Sequence, residues 1–291
     1  MKILITGEKS YVGISLREWL SQWPDKYSVD FMSLKNDDWK NKQIADYDVL
    51  FHVAAVVHKR ETPEMKNLYS AINRDLTVEL ALKAKQAGIK QFIFMSSMSV
   101  YGLEGSIGKE VLINKNTPCI PNTLYGISKL QAEVELNKLA NEKFKIAIIR
   151  APMIYGPNCP GNYEKLKKLV MKSPLFPLIN NQRSMIFIDN FSEFVRLLVD
   201  KSDCGLFFPQ NKEYINTAEL VELITKANSK RVHLSKTLAL IIKLLGNRVN
   251  VVKKLFGNLV FDKSLSSYRD YNYSLTSFEK SIYICEKNLK E

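Results

Sequence analysis

The chain has 291 residues, of which 46% are hydrophobic, 10% aromatic and 25% charged; that much apolar surface builds a sizeable core and excludes disorder as the main state. Forty-two Lys and Arg against 30 Asp and Glu give a formal charge of +12; because only nine of the cations are Arg, and those are scattered, the excess reads as solvated Lys that favours an anionic ligand, not as a nucleic-acid footprint. No run of 18 apolar residues offers a membrane span, and Cys119, Cys159, Cys204 and Cys285 form no CxxC pair and no metal signature with His52, His58 or His233, as expected of free thiols in a reducing cytoplasm.

Met1-Lys2-Ile3-Leu4-Ile5 reads directly as a strand, which leaves no room for a signal peptide. Ile3–Thr6 is the first predicted strand, followed by a helix around Val12–Trp23 with Leu16, Trp19 and Leu20 on one face. Strands at Val29–Leu34 and Val49–Ala55, a periodic helix at Leu68–Ala87, a strand at Phe92–Ser96, a helix at Tyr125–Asn141 and a β-branched strand at Ile146–Arg150 continue the alternation. Strand–helix alternation with buried apolar strands predicts an α/β doubly wound parallel sheet of Rossmann type. Beyond residue 155 the rhythm breaks at Gly156-Pro157, so residues 1–155 are expected to form the nucleotide-binding domain, to which later strands are free to return. Residues 156–291 form a smaller substrate-binding lobe. Within it, Leu238–Phe261 is apolar with interspersed cations. A membrane-surface helix is one reading; a packed helix is favoured, because Gly246-Asn247 and Gly257-Asn258 punctuate the segment like helix ends.

Gly7-Glu8-Lys9-Ser10-Tyr11-Val12-Gly13 lies between the first strand and the first helix. In that position backbone N–H groups and a helix N-terminus attract a diphosphate, which points to a dinucleotide. Gly7 permits the tight turn and Gly13 close helix–sheet packing, while Ser10 replaces the middle glycine and can donate a hydroxyl. At the end of the second strand, where an acid would select NAD, stands Ser33 with Lys35 beyond it. This leans towards NADPH, with Asp30 the alternative acid if the register shifts. Ala54 and Ala55 let the backbone approach the cofactor riboses. His52 reads as a satisfied histidine under the sheet.

Tyr125-Gly126-Ile127-Ser128-Lys129 puts Tyr125 and Lys129 on one helix face. A phenol of pKa about 10 is a poor base, but a neighbouring ammonium favours the phenolate, so Tyr125 is expected to exchange a proton with a sugar hydroxyl. Ser97, at the carboxyl end of a Ser-rich strand, is placed to hydrogen-bond the reacting oxygen.

Taken in order, TGxxSxxG, HVAA, SSMSVYG, YGISK and RAPMIYGP resemble the extended short-chain dehydrogenase/reductases, specifically their nucleotide-sugar epimerases and reductases. The resemblance implies Tyr125 as acid/base, Lys129 as its modulator, Ser97 as relay hydroxyl and Asn73 as a supporting helix residue. It implies Asn162, after Gly161, in a nucleotide-covering loop and Arg183 on the diphosphate. The expected cofactor contacts are therefore Gly7, Ser10, Tyr11, Val12, Gly13, Ser33, Lys35, Ala54, Ala55, Asn73, Ser96, Tyr125, Lys129 and Pro152; substrate contacts are Ser97, Ser99, Asn162 and Arg183.

IYGPNCPGNYEKL, INNQRSMIFI and KKLFGNLVFD resemble a capsule and O-antigen subgroup that reduces UDP-4-keto-6-deoxy-N-acetylhexosamines at C4. Dehydration and decarboxylation need a carboxylate in the slot held by Ser97-Met98-Ser99 and are disfavoured. A 4-keto reductase using NADPH or NAD is favoured over a UDP-sugar 4-epimerase. A non-catalytic dinucleotide sensor is the alternative from another class, although Tyr125 and Lys129 speak against it. The resemblance further implies a homodimer through the helices around Leu68–Ala87 and Tyr125–Asn141.

Overall fold

The computed structural model describes residues 1–57 and 61–287; His58 lies outside them. Short runs rich in Ile, Val, Leu and Phe form six parallel strands: β1 (Lys2–Thr6), β2 (Ser28–Met32), β3 (Val49–His52), β4 (Gln91–Ser97), β5 (Lys145–Ala151) and β6 (Gly205–Phe207). Their order in the sheet is β6-β5-β4-β3-β1-β2. Because β1 lies between β2 and β3, the winding reverses there, and open α/β sheets bind ligands beyond the strand ends at such a switch point. The register aligns Thr6 with both Met32 and His52, so the three strands end level.

Ser10 ends the first loop as N-cap of α1 (Tyr11–Leu20), its hydroxyl accepting from the Gly13 N–H at 3.3 Å; such a cap satisfies one orphan donor of the first turn. On one sheet face Leu80, Ala81 and Ala84 of α2 (Leu76–Gln86) and Ala132 and Leu136 of α3 (Leu124–Leu139) share a buried cluster with Leu4, Phe92 and Ile146. The helix expected at Leu68–Ala87 is not regular: an α-turn at Lys66–Tyr69 passes into a π-helical stretch, Ser70–Asp75, before α2. β3 stops at His52, leaving Ala54 and Ala55 in the following loop.

The chain divides into two units, each made of several segments, with a later strand returning to the first. One unit comprises Met1–Gly102, Pro118–Ala151 and Ser192–Pro209; the other comprises Leu103–Thr117, Pro152–Phe191 and Gln210–Glu291. The reason lies in pairing: Gly205–Phe207 joins the sheet against Ala147–Ile149. In turn Leu112–Ile113 pairs with Val260–Phe261. The second unit has two further parallel pairs, Met153–Tyr155 with Met185–Phe187 and Leu175–Pro177 with His233–Ser235.

Around those pairs stand α4 (Asn162–Lys172), α5 (Thr217–Ala227), α6 (Lys236–Leu245), α7 (Asn250–Phe256) and α8 (Phe278–Lys287). Gly246 and Gly257 cap α6 and α7. At Gly257 the requirement is proximity: a Cβ there would stand 2.4 Å from the Gly105 carbonyl carbon. Among the described residues no helix is long and apolar enough to cross a membrane.

Candidate active site

Gly7 turns the chain out of β1 with φ +89°, a conformation other residues adopt at a cost. A Cβ on Gly7 would lie 3.4 Å from the Ala54 backbone, so the loops after β1 and β3 run against each other at the switch point. α1 starts four residues later, and its first-turn N–H groups are the donors a diphosphate takes. Gly13 packs tightly, since a Cβ there would meet Ile5 Cγ2 at 3.0 Å and Phe31 Cε1 at 3.2 Å. Tyr11 and Val12 open α1, half-buried. The Ser10 hydroxyl, accepting from Gly13, retains its own O–H to donate. Ser33 is the first residue beyond β2, half-buried, and Lys35 follows exposed. Asp30, the alternative acid, pairs with Leu4 in mid-strand and accepts from the Tyr47 hydroxyl at 3.0 Å. This turn, cap and close helix–sheet approach fit a dinucleotide.

His52 is fully buried between Thr6 Oγ1 (2.7 Å from Nδ1) and Thr77 Oγ1 (2.8 Å from Nε2). Burial, aided by Lys129, pushes its pKa down to about 3, so it is a neutral structural ring. Asn73, in the π-helical stretch, is fully buried. It accepts from the Val56 N–H at 2.8 Å and donates to the Val56 carbonyl and the Ser128 hydroxyl at 3.1 Å each. Expected both as a supporting helix residue and as a cofactor contact, it ties the Ala54–Val56 loop to α3 through these bonds.

Ser97 ends β4 and caps the short 3₁₀ turn Met98–Tyr101, accepting from the Ser99 N–H and donating to the Ser99 hydroxyl, both at 3.1 Å. Its hydroxyl also acts on the Tyr125 phenol, lowering its pKa, so Ser97, Ser99 and Tyr125 are grouped at the carboxyl end of the sheet. Ser96, expected on the cofactor, points elsewhere: its hydroxyl donates to buried Glu133. Glu133 also binds the Arg150 guanidinium at 2.6 Å, and Arg150 donates to the Tyr101 hydroxyl at 2.8 Å. This buried ion pair anchors α3 to β5.

In the chain without a nicotinamide, burial sets the electrostatics of Tyr125 and Lys129. Burial pushes the Tyr125 phenol up to about 12, against the lowering effect of the Ser97 hydrogen bond. Burial also pushes Lys129 down to about 7, with Glu133 opposing it. The ammonium does lie one turn along α3, donating to the Met95 carbonyl at 2.8 Å and standing 5.9 Å from the Tyr125 ring centroid. In this site desolvation outweighs that neighbour, and the chain alone holds Tyr125 as a phenol at neutral pH.

Glu61 escaped the sequence reading. Its carboxylate accepts from the N–H groups of Leu124 (2.8 Å) and Tyr125 (3.0 Å), while the Thr123 hydroxyl caps Gly126 at 3.0 Å. The first three N–H groups of α3 are thereby satisfied and the backbone of Tyr125 is fixed. No local pattern joins residues 63 and 64 positions apart. Glu133, by contrast, continues the helical spacing of Tyr125 and Lys129.

Three expected contacts lie in the second unit. Pro152 directly follows β5 and is buried. Asn162 is exposed as the first residue of α4, after Gly161 at φ +124°. Arg183 donates to the Gly257 carbonyl at 2.9 Å, and burial lowers its pKa to about 10. Among the described residues no carboxylate pairs with it, so this guanidinium retains capacity for an anionic oxygen.

A sequence profile of the NAD dependent epimerase/dehydratase family matches residues 3–205. A UDP-glucose 4-epimerase from Vibrio cholerae is 29% identical over 288 residues, 90% of this chain and 87% of the relative. Among solved structures, a UDP-glucuronic acid 4-epimerase from Bacillus cereus in complex with NAD superposes with a TM-score of 0.73 at 20% identity, covering 99% of this chain and 96% of its own. A dTDP-4-dehydrorhamnose reductase ortholog from Clostridium acetobutylicum gives 0.70 at 17% identity with complete coverage of both chains. An epimerase and a reductase thus share this fold, and the fold alone does not separate the two reactions.

Proposed function

The chain belongs to the NAD dependent epimerase/dehydratase family, and we propose that it carries out nicotinamide-dependent oxidation–reduction at C4 of a UDP-hexose or UDP-N-acetylhexosamine. The observation carrying this reading is the Ser97–Ser99–Tyr125 hydroxyl cluster above Lys129, at the carboxyl end of β4. When bound, a nicotinamide supplies the hydride exchanged at C4. Tyr125 holds the proton that passes to or from the C4 oxygen. Ser97 orients that oxygen, and Lys129 adjoins the phenol one turn along α3. Arg183 and Asn162 are the proposed contacts for the nucleotide diphosphate. Exposed Leu68 in the Lys66–Tyr69 turn, Leu82 on α2, and Ile127 and Val134 on α3 support a homodimer through these segments.

4-Epimerisation is the reading supported by the relative aligned over most of this chain. One-way reduction of a UDP-4-keto-6-deoxy-N-acetylhexosamine is the second reading. It is favoured by Ser33 and Lys35 in place of a ribose acid and by a phenol at about 12, poised to donate a proton. Identifying the nucleotide released on denaturation separates them: retained NAD with interconversion of 4-epimers supports epimerisation, and an empty protein that consumes NADPH with the keto sugar supports reduction. Tyr125→Phe is expected to keep nucleotide binding and lose about 10²- to 10⁴-fold in turnover. Full turnover in that variant would overturn the assignment of Tyr125.

A further inference from the structure

From Arg231 to Phe261 the chain carries Arg231, Lys236, Lys243, Arg248, Lys253 and Lys254 and not one Asp or Glu. Half of an apolar helix in this stretch is left uncovered. With 3.6 residues per turn, Leu240, Ile241 and Leu244 share one face of α6, and Ala239 and Ile242 the opposite one. Ala239 is buried, whereas Leu240 and Leu244 are 59% and 71% exposed and Ile241 is exposed beside them. Lys236 and Lys243 lie together on the flank of that apolar face, both exposed.

The patch extends beyond the helix. Leu178 is exposed and its N–H donates to the Ser235 carbonyl at the α6 N-terminus. Val249 is exposed after the helix, next to exposed Arg248. Lys253 is the cation here that meets an acid, Glu104. Lys236, Lys243, Arg248 and Lys254 have no ion-pair partner among the described residues.

We propose that this face is a peripheral docking surface for an anionic lipid bilayer. Leu240, Ile241, Leu244 and Leu178 enter the headgroup–acyl boundary, and the flanking cations meet lipid phosphates. Apolar residues flanked by Lys and Arg that are largely unpaired by acids are the arrangement an interfacial helix needs, and a cation near an anionic leaflet strengthens binding about fivefold. Exposed leucines alone would serve a protein partner equally well; Lys236, Lys243, Arg248 and Lys254, without an acid partner among the described residues, are what select the lipid surface. The inference does not depend on the proposed reaction.

The test is co-sedimentation of the full chain with vesicles of phosphatidylcholine and phosphatidylglycerol at 3:1, against pure phosphatidylcholine. Binding to the anionic vesicles only, released by salt, is expected. Leu240→Ser/Leu244→Ser and Lys236→Glu/Lys243→Glu should each reduce it more than about tenfold, with the thermal midpoint and nucleotide binding unchanged. Absence of vesicle binding overturns the proposal. So does equal binding by wild type and both variants, which would reflect net charge alone. A drop in sedimentation mass in the Leu240/Leu244 variant would make the face a contact between copies and overturn it too.

Discussion

At the scale of single residues, burial governs the chemistry more than pairing does. Lys129 is 1% exposed and its pKa lies at about 7, against 10.5 for an ordinary lysine, with burial as the main cause and Glu133 opposing it. Between those values the unfolded chain holds a proton that the folded chain releases, so stability rises with pH by up to about 1.4 kcal/mol per unit. Below about 7 both states are charged and the gain is absent. Lys129→Met should lack this contribution, and urea unfolding at pH 7 and pH 9 should show the wild type gaining on the variant. Equal pH dependence in the two would mean that Lys129 is hydrated in the folded chain. The same physics makes Arg183, half-buried and donating to the Gly257 carbonyl, a place where an anion is welcome.

At the scale of elements, the site is a matter of how α3 meets β4. The YGISK motif supplies the side chains, while the satisfied N-terminus of α3 and the bond from Lys129 to Met95 supply their position. Gly126 is the point of closest approach: a Cβ there would stand 2.5 Å from the Ser99 carbonyl oxygen. Gly126→Ala must therefore push α3 off the 3₁₀ turn that carries Ser99. A displacement on the ångström scale costs on the order of a hundredfold in turnover, and nucleotide affinity, set by the loops after β1 and β3, should barely change. Parallel kcat and nucleotide-titration measurements check this; unchanged kcat would show that the helix has slack the geometry denies. The π-helical stretch belongs to this scale as well. It delivers Asn73 to Val56 and Ser128, and π-turns recur where an inward side chain has such a task.

At the scale of the whole molecule, the first unit is completed from a distant part of the chain. Helix Ile188–Lys201 and β6 bring Phe194, Val195, Leu198 and Val199 into full burial. Glu193 accepts from the Trp19 indole at 2.9 Å, and Asp200 from the Tyr27 hydroxyl at 2.7 Å. Four such apolar side chains contribute about 1.5–3 kcal/mol each, comparable with the about 5–15 kcal/mol of a whole domain. A fragment of residues 1–155 is expected to show no cooperative thermal transition by circular dichroism, where the full chain shows one. A sharp transition in the fragment would refute the completion by residues 192–209.

Strand and helix order, the glycine turn, the Tyr125–Lys129 pair and the hydroxyls after β4 were written in short stretches of chain, because hydrophobic period, turn chemistry and i,i+4 spacing are local properties. Even so, Ser96 and Asn73 carry the right residue types in the right places yet turn inward, since a buried carboxylate and a loop carbonyl claim their polar atoms. The order of strands around β1, the Glu61 cap, the interleaved units and the burial that sets Tyr125 and Lys129 arise between residues far apart in sequence. Only the folded chain decides them, because dielectric surroundings and long-range hydrogen bonds exist only once distant segments have packed.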